Sequence, residues 1–172
     1  MTRRLQGARL APFPDADEVH KAKRSLSHAA RACNFTPLEM KLFGELRNVL
    51  DKSTEPINAY SSHAKNWNIL ATMDGDDFAR FTDMTNLSSV VLQAHFLALD
   101  ELLWPLSSFQ LPKGRPRHLV SGFKSVCASP SYLGPEQEVA AQLIEWPISF
   151  LKRNSTPSTA DTCITSGNST PG

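Results

Sequence analysis

Five histidines, His20, His28, His63, His95 and His118, are the first residues to test for chemistry. Structural zinc needs about four His, Cys or carboxylate ligands converging on one point. None of these histidines stands three or four residues from another His or a Cys, so no metal site and no zinc are expected. His95 is a different case. It lies in the most apolar stretch of the chain, with Asp100 and Glu101 just downstream. A buried imidazole beside a carboxylate can act as a general base. A hydrolase would also need a nucleophile, and the sequence has neither a G-x-S-x-G elbow nor a cysteine in a recognisable nucleophile setting. A small enzyme built around His95 is therefore the third reading, and the expectation is no catalytic residue and no cofactor.

Two further strings carry chemical possibilities. Asp74-Gly75-Asp76-Asp77 opens like a calcium loop, but the twelfth position from Asp74 is Thr85 rather than a bidentate Glu. The string reads as a helix-capping turn. Lys113, Arg115 and Arg117 flank a Gly-Arg-Pro core, Lys113 to Arg117, similar to an AT-hook. In such a string Pro keeps the backbone extended, Gly avoids the groove floor, and arginines enter a narrow minor groove. These three cations are the candidate nucleic-acid contacts. The bland alternative is a solvated loop. Together with His20-Lys21-Ala22-Lys23-Arg24, the string could also serve as a nuclear-import patch.

The elements that must position these residues are helical. Val19, Ala22, Leu26, Ala29, Ala30 and Cys33 recur at helical spacing and predict a helix over 17–33. Thr36-Pro37-Leu38-Glu39 combines an N-cap, a first-turn proline and a capping-box glutamate, and predicts a helix over 37–50. A third helix is expected over 57–72, followed by a turn at Asp74 and a short helical turn at Asp77 to Phe81. Leu87 to Trp104 is apolar nearly all round the helical wheel, so a helix over 86–104 should be central and the most buried element. Pro105 is expected to stop it. Leu119 to Ala128 is a short helix or an extended piece. A last helix is expected over 135–146, broken by Pro147.

The fold class is thus all-α: an irregular helical bundle over 17–152. A disordered arm is expected over 1–16 and a disordered Ser/Thr-rich tail over 153–172. Of 172 residues, 41% are hydrophobic and 20% charged, ordinary values for a globular chain. Three cysteines, Cys33, Cys127 and Cys163, lie far apart, which fits reduced thiols in an intracellular protein. The N-terminus has no apolar core of a secretory signal, and no run is long enough for a membrane span. The formal net charge is +1, so counterion release offers little non-specific affinity for nucleic acid.

The order of several motifs resembles the C-terminal part of the regulatory domain of fungal binuclear zinc-cluster transcription factors. The carriers are Trp67 near a helix end, Phe78 and Phe81 in the linker after it, and the long apolar helix LSSVVLQAHFLALDELLWP. Leu143-Ile144-Glu145-Trp146-Pro147 completes the set. The resemblance spans about residues 35 to 150. The family's six-cysteine DNA-binding cluster has no counterpart here, so no zinc ligand and no DNA contact carries over. What the resemblance implies is a nuclear, transcription-linked module that binds protein partners of the transcription machinery or a small-molecule effector. Specific DNA binding by this chain alone is not expected. The alternative is a helical protein-interaction domain unrelated to transcription.

Overall fold

A computed structural model of the chain describes residues 15–107 and 135–155. Those residues form helices and no strand: α1 Ala16–Ala32, α2 Pro37–Asp51, α3 Pro56–Ala71, α4 Gly75–Phe81, α5 Leu87–Ser107, α6 Gln137–Leu143 and α7 Glu145–Ser155. The all-α bundle read from the sequence is the fold. No helix among the described residues is long and apolar enough to cross a membrane. The segment with Lys113, Arg115, Arg117, His118 and Cys127 lies outside the described residues, as do Cys163 and the rest of the expected arm and tail.

Local chemistry explains the first four helix starts. Asp15 caps α1 by accepting from the Asp17 N–H at 3.0 Å, and Asp17 and Glu18 complement the positive first turn. At α2 the capping box is complete. Thr36 Oγ1 accepts from the Glu39 N–H at 3.3 Å, and the Thr36 N–H donates to Glu39 Oε2 at 2.8 Å. Pro56 opens α3 and Asp74 caps α4, accepting from Asp77 N–H at 2.8 Å. Asp74 is therefore a capping residue, as its turn setting suggested.

The α2 cap also reaches tertiary structure. Glu39 is buried, and Ser89 of α5 can donate to its second carboxylate oxygen at 3.1 Å. Thr36→Ala should cost about 1 kcal/mol, the usual loss for an N-cap side chain. Glu39→Ala should cost more, because it orphans the Thr36 N–H and also removes the tertiary bond from Ser89, whose hydroxyl falls back on the Arg80 carbonyl at 3.0 Å. Urea unfolding of the two variants ranks them; the reverse order would show that Glu39 serves the cap alone.

Helix α5 is the axis of the bundle, packed by α1, α2, α3, α6 and α7. Val90, Val91, Leu92, Ala94, Phe96, Ala98, Leu99, Leu102 and Leu103 are all buried on it, so its near-continuous apolar wheel is explained by neighbours on several sides. The main core joins Val19, Ala22 and Leu26 of α1, Leu42, Leu46 and Leu50 of α2, and Phe150 and Leu151 of α7 to this helix.

Two proline expectations are corrected. The helix does not stop at Pro105 but runs on to Ser107. A proline there removes only the bond to the carbonyl four residues earlier, and the loss is confined to the last turn. Nor does Pro147 break a helix. The expected 135–146 helix is two helices meeting at Ile144, and Pro147 is the third residue of α7. Backbone N–H groups in a first turn have no intrahelical acceptor, so a proline costs no bond there. Because α7 continues to Ser155, residues 153–155 are helical rather than the start of a tail.

Candidate functional site

The spacing of α1 builds two faces from one segment. Val19, Ala22, Leu26 and Ala29 turn inward. Lys21, Arg24, His28 and Arg31 repeat the same three- and four-residue steps two positions on, so they form a cationic stripe on the outward side of the helix, with Ser25 between it and the buried stripe. On the opposite side stand Gln142 of α6 and Glu145, Trp146, Ser149 and Arg153 of α7. Between the two walls runs a groove of about 860 Å³. Four permanent cations face one carboxylate, Glu145, in its lining.

Glu18 clamps one end of the groove. Lys21 Nζ donates to it at 2.9 Å, Trp146 Nε1 at 3.1 Å, and Arg153 Nη2 lies 3.1 Å from both its oxygens. Burial by itself would raise the pKa of this carboxyl. The hydrogen bonds from Lys21 and Trp146, with the charge and hydrogen bond of Arg153, hold it below the usual range. The clamp ties α1 to α7 and shows how the groove wall holds a carboxylate.

At the floor, Ser25 Oγ lies 2.9 Å from His95 Nε2, and His95 Nδ1 lies 2.8 Å from the Val91 carbonyl. A carbonyl can only accept, so Nδ1 carries the proton and Nε2 accepts from the Ser25 hydroxyl. Burial pushes the imidazole pKa down to about 4, against the opposing pull of the Val91 bond. Trp146 covers the ring, with centroids 6.0 Å apart.

This serine–histidine pair has the hydrogen bonding of a general base and its nucleophile. Among the described residues, two parts of a hydrolase are missing around it. Ser25 sits in the middle of α1, where backbone N–H groups are committed to the helix ladder, so no pair of amides is free to hold an oxyanion. The carboxylate expected to serve His95 is also elsewhere. Asp100 pairs with His63 of α3, its Oδ1 3.0 Å from Nε2. That correction follows from helix geometry, since residues five apart on α5 face different neighbours. Asn66 of α3 completes the second cluster, its Nδ2 3.4 Å from His63 Nδ1.

The remaining candidates are placed as follows. No group of three or more metal-capable side chains occurs among the described residues. Cys33 is a half-buried free thiol, and burial raises its pKa to about 11, far from the range of a reactive thiolate. Of the aromatic residues near α5, some fill the core and others do not. Phe81 and Phe96 are buried, Trp67 packs edge-on against Phe96 at 4.8 Å, and Trp67 and Phe78 remain half-exposed. The cations of the His20-to-Arg24 string diverge. Lys21 binds Glu18, Lys23 turns to Asp51 of α2 at 3.0 Å, and Arg24 faces the groove.

Sequence reading missed the groove itself. Its signal was present as the 21, 24, 28, 31 spacing, but the wall that makes it concave comes from residues more than a hundred positions away. In comparisons with known proteins, no family model, no curated protein and no solved structure matches the chain.

Proposed function

We propose that the chain works by binding, as a helical regulatory-type domain whose α1–α7 groove receives an anionic partner. The supporting observation is the charge of that groove. Arg24 and Arg31 line it with no carboxylate in salt-bridge range among the described residues, while Glu18 at its end is already held by Lys21, Trp146 and Arg153. Charge-assisted bonds to a carboxylate or phosphate are the strongest polar contacts a surface can offer. The proposed setting is the nucleus, with a component of the transcription machinery or an effector as partner; what supports it is the resemblance of the α5 and Leu143-to-Pro147 motifs to fungal transcription-factor regulatory domains.

The binding reading is tested by amide NMR with citrate added to the full chain. Shifts confined to α1, α6 and α7 support it, and uniform or absent shifts overturn it. The transcriptional setting is tested separately. Fused to an unrelated DNA-binding domain, the chain should change reporter output, and Arg24→Glu with Arg31→Glu should abolish that change. An unaltered reporter would remove transcription from the proposal and leave a general interaction domain.

A further inference from the structure

Resting on the binding reading above, we infer that the groove's occupant is an acidic helical segment of a partner protein, its carboxylates spaced one turn apart to meet Arg24, His28 and Arg31. These three residues lie on one face of a single helix at steps of four and three. Seven residues of α-helix rise about 10 Å, so Arg24 and Arg31 stand about that far apart along the groove. A compact anion meets only one end of such an array. A second helix laid along α1 matches it throughout, because glutamates at i, i+4 and i+7 repeat with the same rise.

The dimensions and walls favour a helix over an extended chain. An extended strand advances about 3.3 Å per residue with alternate side chains facing away, which places carboxylates out of step with a helical stripe. The opposite wall supplies what an amphipathic helix needs beside its charges. Trp146 is partly exposed, stacked on Phe150 at 5.6 Å, and held upright by its bond to Glu18, which leaves an apolar surface at the groove edge. Glu145 on the same wall repels a carboxylate placed there, so the acidic face must turn toward α1 and the apolar edge toward α7. That orientation makes the site directional. Glu18 provides the precedent within the molecule: a helical carboxylate already bridges Lys21 on one wall to Trp146 and Arg153 on the other.

The test uses the full chain and a fluorescein-labelled, helix-forming peptide. The peptide has glutamates at i, i+4 and i+7 and leucines along the adjoining edge. An isomer of identical composition, with its glutamates spread around the helix, is the control. The striped peptide should bind about tenfold more tightly than its isomer, with affinity falling as salt rises. Arg24→Glu with Arg31→Glu should abolish the difference, whereas Lys41→Glu on the exposed side of α2 should leave it intact. Should the charge reversals alter the circular dichroism, Arg24→Gln with Arg31→Gln serves instead. If the two peptides bind equally and citrate displaces both, the groove takes small anions: the helical partner is overturned and the binding reading stands. If neither peptide nor citrate binds, both fall.

Discussion

Phe96→Ala should destabilise the protein by about 3–5 kcal/mol, the range for removing a fully packed aromatic ring. Phe96 is 4% exposed and lies midway along α5, the helix that every other large element touches. Its ring meets Trp67 edge-on at 4.8 Å and His63 at 5.4 Å, both from α3. It also belongs to the core cluster that joins α1, α2, α5 and α7. The substitution thus removes buried apolar area, loses an aromatic pair worth about 1 kcal/mol beyond its area, and leaves a void between three helices. Phe78→Ala gives the internal comparison. That ring is 51% exposed on α4, so its loss should cost less than about 1 kcal/mol. Urea unfolding followed by circular dichroism measures both. Equal costs would mean that α5 is not the axis on which the bundle is packed.

That central role was legible because it depends on composition alone: apolar residues on every side of a helix require neighbours on every side. Helix starts were legible for a similar reason. Thr36, Pro37 and Glu39 satisfy orphan backbone groups locally, whatever else the chain does. Helix ends marked by proline were not. A proline rule reads the missing N–H but not whether that N–H had an acceptor to lose, and at Pro147 it had none. The pairing of Asp100 was illegible for a different reason. Sequence proximity drew it toward His95, but α5 turns the two side chains toward different helices, His95 to α1 and Asp100 to α3. The groove was half legible. Cations 21, 24 and 31 fell outside the apolar stripe of α1, which marked a polar face. Only the packing of α7 against α1, sealed by Arg153 on Glu18, made that face one wall of a groove.

The pair at the groove floor leads to the second large effect, a loss of stability on mild acidification. His95 is 1% exposed and its imidazole pKa is pushed down from 6.5 to about 4, chiefly by burial. Above pH 6.5 the ring is neutral in both folded and unfolded chains and contributes no pH dependence. As pH falls from 6.5 toward 4, the unfolded chain takes up a proton that the folded chain refuses, so stability falls through that window and the loss is complete below about pH 4. A displacement of this size corresponds to about 3 kcal/mol, with a limiting slope of about 1.4 kcal/mol per pH unit. The hydrogen bonds explain why the folded state refuses the proton. Val91 fixes the proton on Nδ1, and Nε2 is committed to accepting from Ser25. A second ring proton would force the Ser25 hydroxyl to turn away from Nε2 toward the weaker Leu143 carbonyl contact at 3.4 Å. Glu18 acts in a lower window. Its depressed carboxyl stabilises the fold above the ordinary value of 4.5, and that contribution is lost as pH falls below it. Between pH 6.5 and 4.5 the histidine effect therefore precedes the loss of the clamp. The measurement is urea unfolding at half-unit intervals from pH 7.5 to 4.5, for the parent and for His95→Gln. The variant should be less stable at pH 7.5, because it loses the fitted imidazole, yet its stability should change less with pH than the parent's. Parallel pH profiles for the two proteins would assign the acid sensitivity to other groups and show that His95 titrates alike in the folded and unfolded chains.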